Sequence, residues 1–512
     1  MKNLQKLILS LGIIPILLIT PACDDKLEEP LSATFLEENV DYTQTENMRS
    51  VLVGAYSSFY SLQWETFPVI GVRGDDVNAE GDQFPLIETD EFRYEPSFWM
   101  YNSAWQNLYG DIFSWKAAIE EIERYKEFAD NPAIADQYIA EIKVMEAFEL
   151  FQLARLWGEI LIPRTARSED LYNEPLSSFE DVMIYISEEM DEAIPLLLDM
   201  RPNERAELPG GVTRYTALAI KAMANLEIGR YDEVAEATGE IINNGGFSLE
   251  TDYYNLFKIP GKLNDENLLE LQYSDFGQAT GENRAYLYAF FGPNNWEPAV
   301  SGASPGWGFW EPTEKYIKFM LDREETIRLE TSVLFTQEGI ESIQSDPQYA
   351  DLPDFVSNTT RDGDVIGRTD GEPNPRAIFS SGKHYLPSNQ LTPGRTSYGT
   401  NKNFICIRYS EILLMHAEAL VNGGNSNSIS AAQAVNLVRD RAGLPNISNV
   451  DLDVVLDEKF AEFGMEWGIR FYDLVRYDRT DELNYDGRNY SPIEDRFLPY
   501  PLAQQDILSQ LN

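Results

Sequence analysis

Cysteine and histidine are almost missing, at two each in 512 residues. Cys23 and Cys406 alone cannot build a disulfide scaffold or a thiolate zinc cluster. His384 stands in a Gly/Pro-rich loop and His416 in an apolar helical run, so a zinc site needing both is not expected. Positive charge is also scarce: 40 Lys+Arg face 85 Asp+Glu, a formal charge of −45. That balance excludes a nucleic-acid grip. No Gly-Xaa-Ser-Xaa-Gly elbow, Walker loop or dinucleotide glycine motif stands between a strand and a helix, which removes the commonest nucleophile and phosphate chemistries.

What is present is a large core, with 43% hydrophobic and 12% aromatic residues, so the acidity does not signal disorder. The length allows about three domains. Its Pro- and Gly-containing stretches are aromatic-rich, however, and one continuous body over 23–512 is expected, with halves at 23–245 and 246–512. Residues 1–22 read as a signal peptide: Lys2 and Lys6, an apolar run from Leu7 to Ile19 broken by Gly12 and Pro15, then Thr20-Pro21-Ala22 before Cys23. That run falls short of the ~20 residues needed to span a bilayer. Cys23 resembles a bacterial lipoprotein cysteine, although Thr20 replaces the usual leucine; a Cys23–Cys406 disulfide or an incidental cysteine are the alternatives. Acyl chains on Cys23 would hold the protein at a membrane at about 0.8 kcal/mol per buried methylene. Cys406 would then be a buried thiol. The acidic run Asp24 to Glu29 resembles a surface-export signal. Losing the leader's two lysines takes the charge to −47, which favours a neutral or cationic ligand.

Apolar residues recurring at three- and four-residue steps predict an all-α, mainly helical chain. The segments are Thr43 to Leu62, Tyr101 to Phe128, Ile134 to Trp157, Ser178 to Leu198, Thr213 to Ile228, Tyr231 to Asn243, Glu314 to Arg328, Ile407 to Asn422, Ser430 to Ala442 and Val454 to Tyr477. Ala222, Leu226, Gly229, Tyr231 and Ala235 follow tetratricopeptide spacing: small residues let two helices approach, and the glycine ends the first. Ala417, Leu420, Gly423, Ala431 and Val435 repeat it. A lone hairpin cannot bury its apolar face, so a stacked tetratricopeptide-like scaffold is expected.

Two irregular stretches, Phe257 to Pro312 and Asp346 to Asn403, are too long to be passive connections. Flat rings suit the CH face of a pyranose, and amides or carboxylates suit its hydroxyls. Candidate binding residues are Trp64, Asp75, Asp76, Asn78, Trp99 and Asn102 in the amino-terminal half, and Tyr288, Asn295, Trp296, Trp307 and Trp310 in the middle loop. Asp362, Gly363, Asp364, Gly367 and Asp370 are spaced loosely like a calcium loop but lack the bidentate glutamate, so no cofactor is expected and calcium stays a structural alternative. Glu462, Glu466 and Arg470, four apart, read as an ionised ladder poorly suited to proton transfer.

The carboxy-terminal third carries RYSEILLMHAEAL at 408–420, AAQAVNLVRDRAGLP at 431–445, EKFAEFGMEWGIRFYDLVRYD at 458–478 and RFLPYPLAQQDI at 496–507. Upstream stand WQNLYGDIFSWKAAIEEIE at 105–123 and AEIKVMEAFELFQLARLWGEILIPRT at 140–165. With the leader, these resemble the SusD/RagB family along nearly the whole mature chain. The resemblance implies a lipid-anchored, surface-exposed outer-membrane lipoprotein of Bacteroidetes that binds a glycan, caps a TonB-dependent SusC-like transporter, and is not an enzyme. Met465 to Trp467 departs from the smaller or more polar residues of many relatives. A helical-repeat lipoprotein binding peptide or protein ligands is the alternative reading. A secreted glycoside hydrolase would instead need two carboxylates about 5 to 10 Å apart across a cleft.

Overall fold

The computed structural model describes residues 40–60, 62, 66–280, 287–367, 378–395 and 399–512. Cys23, Trp64 and Asp370 lie outside the described residues. Thr45–Asn512 form one compact unit.

Helix dominates that unit, and its order follows the predicted hairpins. Trp99–Lys126 packs on Pro132–Trp157, which packs on Phe179–Ala193; next come Arg214–Glu227 and Tyr231–Asn244. Tyr231–Asn244 then packs on Tyr409–Val421, and that helix on Ala431–Arg441. The stack therefore runs on across a gap of more than 160 residues in sequence, and 246–408 is an insertion leaving and re-entering it. Each hairpin turns on a glycine in the left-handed region, Gly229 at φ +71° and Gly423 at φ +96°, where a Cβ would be strained. Ala222, Ala235, Ala417 and Ala434 are all buried between the helices.

Among the described residues eight short strands pair antiparallel into four two-stranded sheets. β1 (Val77–Ala79) pairs with β4 (Trp310–Pro312), β2 (Asn267–Leu271) with β8 (Phe404–Arg408), β3 (Trp296–Glu297) with β6 (Val365–Ile366), and β5 (Val333–Phe335) with β7 (Phe379–Ser381). Three of these sheets fasten the insertion to itself, and β1–β4 fastens it to the segment ahead of the stack.

Several predicted helices are interrupted or shortened, three of them in the carboxy-terminal half. Ile407 belongs to β8, and the helix begins at Tyr409. The segment 314–328 breaks between Glu314–Asp322 and Ile327–Ser332, with Glu324 at φ +58°. Val454 to Tyr477 is two helices, Leu452–Phe463 and Ile469–Arg476, because Met465, Trp467 and Gly468 all take positive φ. At Gly468 a Cβ would lie 2.4 Å from the Ile70 carbonyl oxygen, so the chain turns there on the one residue that fits.

The ion-pair ladder holds charged pairs, but with other partners than the i+4 spacing gives. Glu462 is fully buried and receives Arg328, Arg408 and Arg441, while Glu466 receives Arg408 and Lys383. Arg470 turns away to Asp75. Burial pushes the Glu462 carboxyl up, but the three guanidiniums outweigh it and hold it well below the usual carboxylate range. Cys406 is a buried free thiol.

Candidate ligand-binding site

One member of each group of candidates, Asn78 and Trp310, lies on a shared strand pair, a seam between segments more than 180 residues apart in sequence. The β1–β4 ladder sets Val77 opposite Pro312, Asn78 opposite Glu311 and Ala79 opposite Trp310. It continues one step further, where the Glu80 amide donates to the Phe309 carbonyl at 2.8 Å.

At the seam's amino-terminal side, Trp99 opens the Trp99–Lys126 helix with 48% of its surface exposed. Asn102 follows at i+3, on the same helix face. Its Nδ2 donates to Gln106 Oε1 at 3.1 Å, and its Oδ1 accepts from Gln504 Nε2 at 2.8 Å. Phe98, buried behind Trp99, meets Phe84 edge to face at 5.8 Å. Phe84 is 60% exposed, and the sequence reading passed over it. Its only signal is position, one residue before Pro85 at the start of a short helix.

Across the seam, Trp307 is half-buried with its ring edge-on to Phe290 at 5.5 Å. Asn295 is half-buried, its carbonyl accepting from the Gly367 amide at 3.0 Å. Asn78 is half-buried in β1: its Oδ1 accepts from Arg488 Nη2 at 2.9 Å, and its Nδ2 donates to Glu311 Oε1 at 3.4 Å.

Five candidates sit in the interior instead. Trp310 is fully buried among Phe291, Phe67 and His384, with ring centroids at 4.2, 5.1 and 5.7 Å. Gly71 makes room for it, since a Cβ there would stand 2.3 Å from the indole. Trp296 and Tyr288 belong to a core cluster with Leu334, Ile366, Tyr385 and Leu386, and the Tyr288 hydroxyl donates to the Ser304 carbonyl at 2.5 Å. These rings lie inward because each belongs to, or packs beside, a short strand whose partner covers it.

Asp75 and Asp76 are buried struts. Asp75 takes Arg470 Nε at 2.7 Å and Lys315 Nζ at 2.6 Å. Burial raises its carboxyl, but these cations outweigh burial and hold it below the usual range. Asp76 accepts from the Met465 amide at 2.5 Å, and burial lifts it to about 6.

Carboxyl chemistry at the seam is paired. Glu80, lifted to about 8 by burial and then by the charges of Glu311 and Asp90, shares a hydrogen bond with Glu311, which burial raises as well. Arg488 Nη2 closes on Asp90 at 2.6 Å. The carboxylates around the β1–β4 pair are therefore tied to internal partners.

The acidic loop is similarly occupied. Asp364 accepts from the Ala299 amide at 2.7 Å, the Ser388 amide at 2.9 Å, the Ser388 hydroxyl at 2.5 Å and the Tyr385 hydroxyl. Asp362 takes Asn389 Nδ2 at 3.1 Å and the Tyr254 hydroxyl. Among the described residues no group of three or more His, Cys, Asp or Glu is placed to hold a metal ion. His416 is buried, with Nδ1 2.8 Å from Thr238 Oγ1 and Nε2 3.0 Å from the Ile429 carbonyl oxygen.

Stack and insertion define a helical-repeat scaffold carrying long loops, on which Trp99 and Phe84 are exposed and Asn102, Asn295 and Trp307 half-buried. Among the described residues no helix is long and apolar enough to cross a membrane. The SusD family model matches residues 265–497. A SusD-like protein of Bacteroides ovatus is 24% identical over 482 residues, covering 91% of this chain and 82% of its own. Surface glycan-binding protein A from Bacteroides thetaiotaomicron, solved in complex with laminarihexaose, superposes with a TM-score of 0.72 at 21% identity, covering 91% of this chain and 98% of that one. A laminarin-binding SusD-like protein superposes with a TM-score of 0.74 at 20% identity, covering 90% and 97%. The chain is thus similar to SusD-like proteins along most of its length, and its match to the SusD family model lies at residues 265–497.

Proposed function

We propose that this protein is a cell-surface glycan-binding lipoprotein, anchored in the outer membrane through Cys23, that captures a neutral oligosaccharide and delivers it to a TonB-dependent SusC-like transporter. Binding uses the exposed face of Trp99 as a platform, with Asn102 one helical turn on, Phe84 beside it, and Trp307 and Asn295 across the seam. The observation that carries the reading is Trp99, a half-exposed indole on a rigid helix start with an amide at i+3. A pyranose needs that pairing of a flat apolar face and a planar hydrogen-bonding group. The two glucan-binding proteins that share the fold support it, as do the seam's internal ion pairs, which leave neutral groups for a neutral ligand. The protein binds without cleaving.

Calorimetry of the mature protein against laminarin oligosaccharides and a panel of neutral glycans tests this. Heat with one of them, lost in Trp99→Ala and without new reducing ends, is the expected result. Silence across the panel together with heat from peptides would overturn it in favour of a peptide-binding scaffold.

A further inference from the structure

In a chain of formal charge −45, one small internal cavity gathers cations. Its wall includes Lys258, Lys262, Lys383 and Lys402 against two carboxylates, Glu270 and Glu466. Glu466 is already committed to Lys383 at 2.6 Å and to Arg408 at 2.9 Å. Glu270 is turned to neutral donors, accepting from the Leu263 amide at 2.9 Å. The other three ammoniums have no carboxylate within 4 Å among the described residues. Lys258 donates to the Gly382 carbonyl at 2.7 Å, and Lys402 to the carbonyl of the next residue, Lys383. Lys262 donates to the carbonyls of Tyr273 at 2.9 Å and Asn401 at 2.5 Å. An ammonium has three N–H donors, so Lys402 keeps two beyond its carbonyl, while Lys258 beyond its own faces the Tyr254 and Tyr385 rings, at 4.5 and 5.3 Å.

Buried charge of one sign is costly unless something of the other sign enters. The cavity leaves about 20 Å³ for the centre of a guest, enough for one body the size of a water molecule and too little for sulfate or a sugar acid.

We propose that this cavity is a halide site, holding one chloride between the ammoniums of Lys258 and Lys402. The site joins three parts of the chain: the insertion's start through Lys258, its second loop through Lys383 and His384, and its return to the stack through Lys402. His384 also lines the cavity and meets the Phe291 ring at a tilt and the Trp310 ring edge to face, at 5.1 and 5.7 Å. A bound chloride would therefore clamp the loops beneath the seam without touching a ligand above it. Burial pushes Lys402 down to about 7 against the attraction of Glu466, so an empty cavity would shed a proton where a filled one would not.

The test is thermal unfolding of the mature protein in sodium chloride and in sodium gluconate at equal ionic strength, with bromide as an anomalous scatterer in crystals. We expect a saturable rise in Tm of about 2 °C in chloride over gluconate, a bromide peak in the cavity, and loss of the chloride-specific rise in Lys402→Met. Equal Tm values in the two salts, or crystals in bromide whose cavity shows no anomalous peak, overturn the proposal. The wild-type measurements decide the matter even where the variant does not fold.

Discussion

Trp99→Ala and Trp310→Ala should fail in opposite ways, although both residues belong to one predicted set of platform rings. Trp310 has no exposed surface and touches Phe67, Phe291 and His384. Its truncation opens a cavity in a packed core, and Trp→Ala changes of that kind cost about 3–5 kcal/mol. Trp99 leaves 48% of its surface free. With roughly 200 Å² for a whole tryptophan, about 100 Å² is open to a ligand, and at about 25 cal/mol/Å² that is about 2.5 kcal/mol. The affinity loss is then roughly seventyfold, with little change in stability. Urea unfolding and glycan titration on the same two preparations separate the effects. Stability lost in Trp99→Ala with affinity retained would refute the assignment of faces. So would Trp310→Ala losing affinity at unchanged stability.

Glu462→Leu should destabilise by about 3–5 kcal/mol in chemical unfolding, since it strands Arg328, Arg408 and Arg441 without their common carboxylate; a change under about 1 kcal/mol would contradict the buried-hub geometry. The Glu80 carboxyl is raised from 4.5 to about 8, so its contribution to stability is fully present below about pH 4.5 and is lost as pH rises towards 8. Glu80→Gln, fixed in the neutral form, should flatten that decline in melts between pH 5 and 9, and an unchanged slope would count against the shared Glu80–Glu311 proton. Glu418, lifted by burial but brought down to about 2 by Arg476 and Lys459, contributes in the opposite sense: its part is present above about pH 4.5 and lost as pH falls towards 2. Acid titration of Glu418→Gln should lack this loss. Cys23→Ala should release the protein from the membrane fraction, and unchanged fractionation would refute the lipid anchor.

The helical stack was legible because its determinants are local. Ala222, Gly229 and Ala235 fix a close hairpin within one stretch of fourteen residues, and the structure buries both alanines and turns at the glycine. The break at 464–468 was hidden by apolar periodicity running straight through it, from Phe460 and Phe463 to Trp467 and Phe471. The available signal was the flanking pair of glycines, Gly464 and Gly468, each pressed against another part of the chain: a Cβ at 464 would stand 2.5 Å from the Tyr316 ring. Ring orientation in the loops was out of reach for a different reason. Whether Trp310 faces in or out depends on a three-residue strand pairing with β1, 231 positions earlier at Ala79. Periodicity over three residues carries no such information.

The misread carboxylates explain how the seam is held. Asp75 and Asp76 flank the turn leading into β1, and both are seized from the far end of the chain: Asp75 by Arg470, Asp76 by the Met465 amide. The Thr313 hydroxyl donates to the Asp75 carbonyl at 2.7 Å, and Arg488 bridges Asp90 and Asn78. The positive φ values at Met465 and Trp467 gain a physical reason from this, because only a broken helix there aims the Met465 amide at Asp76 and sends Arg470 towards Asp75. The carboxy-terminal segment that carries the family likeness thus positions loop residues from the amino-terminal half. Its buried ion pairs supply register, for which the best-attested use of such pairs is specification rather than net stability. The carboxylates that looked available for a sugar are the struts that keep Asn78 and the β1–β4 ladder in place beneath one.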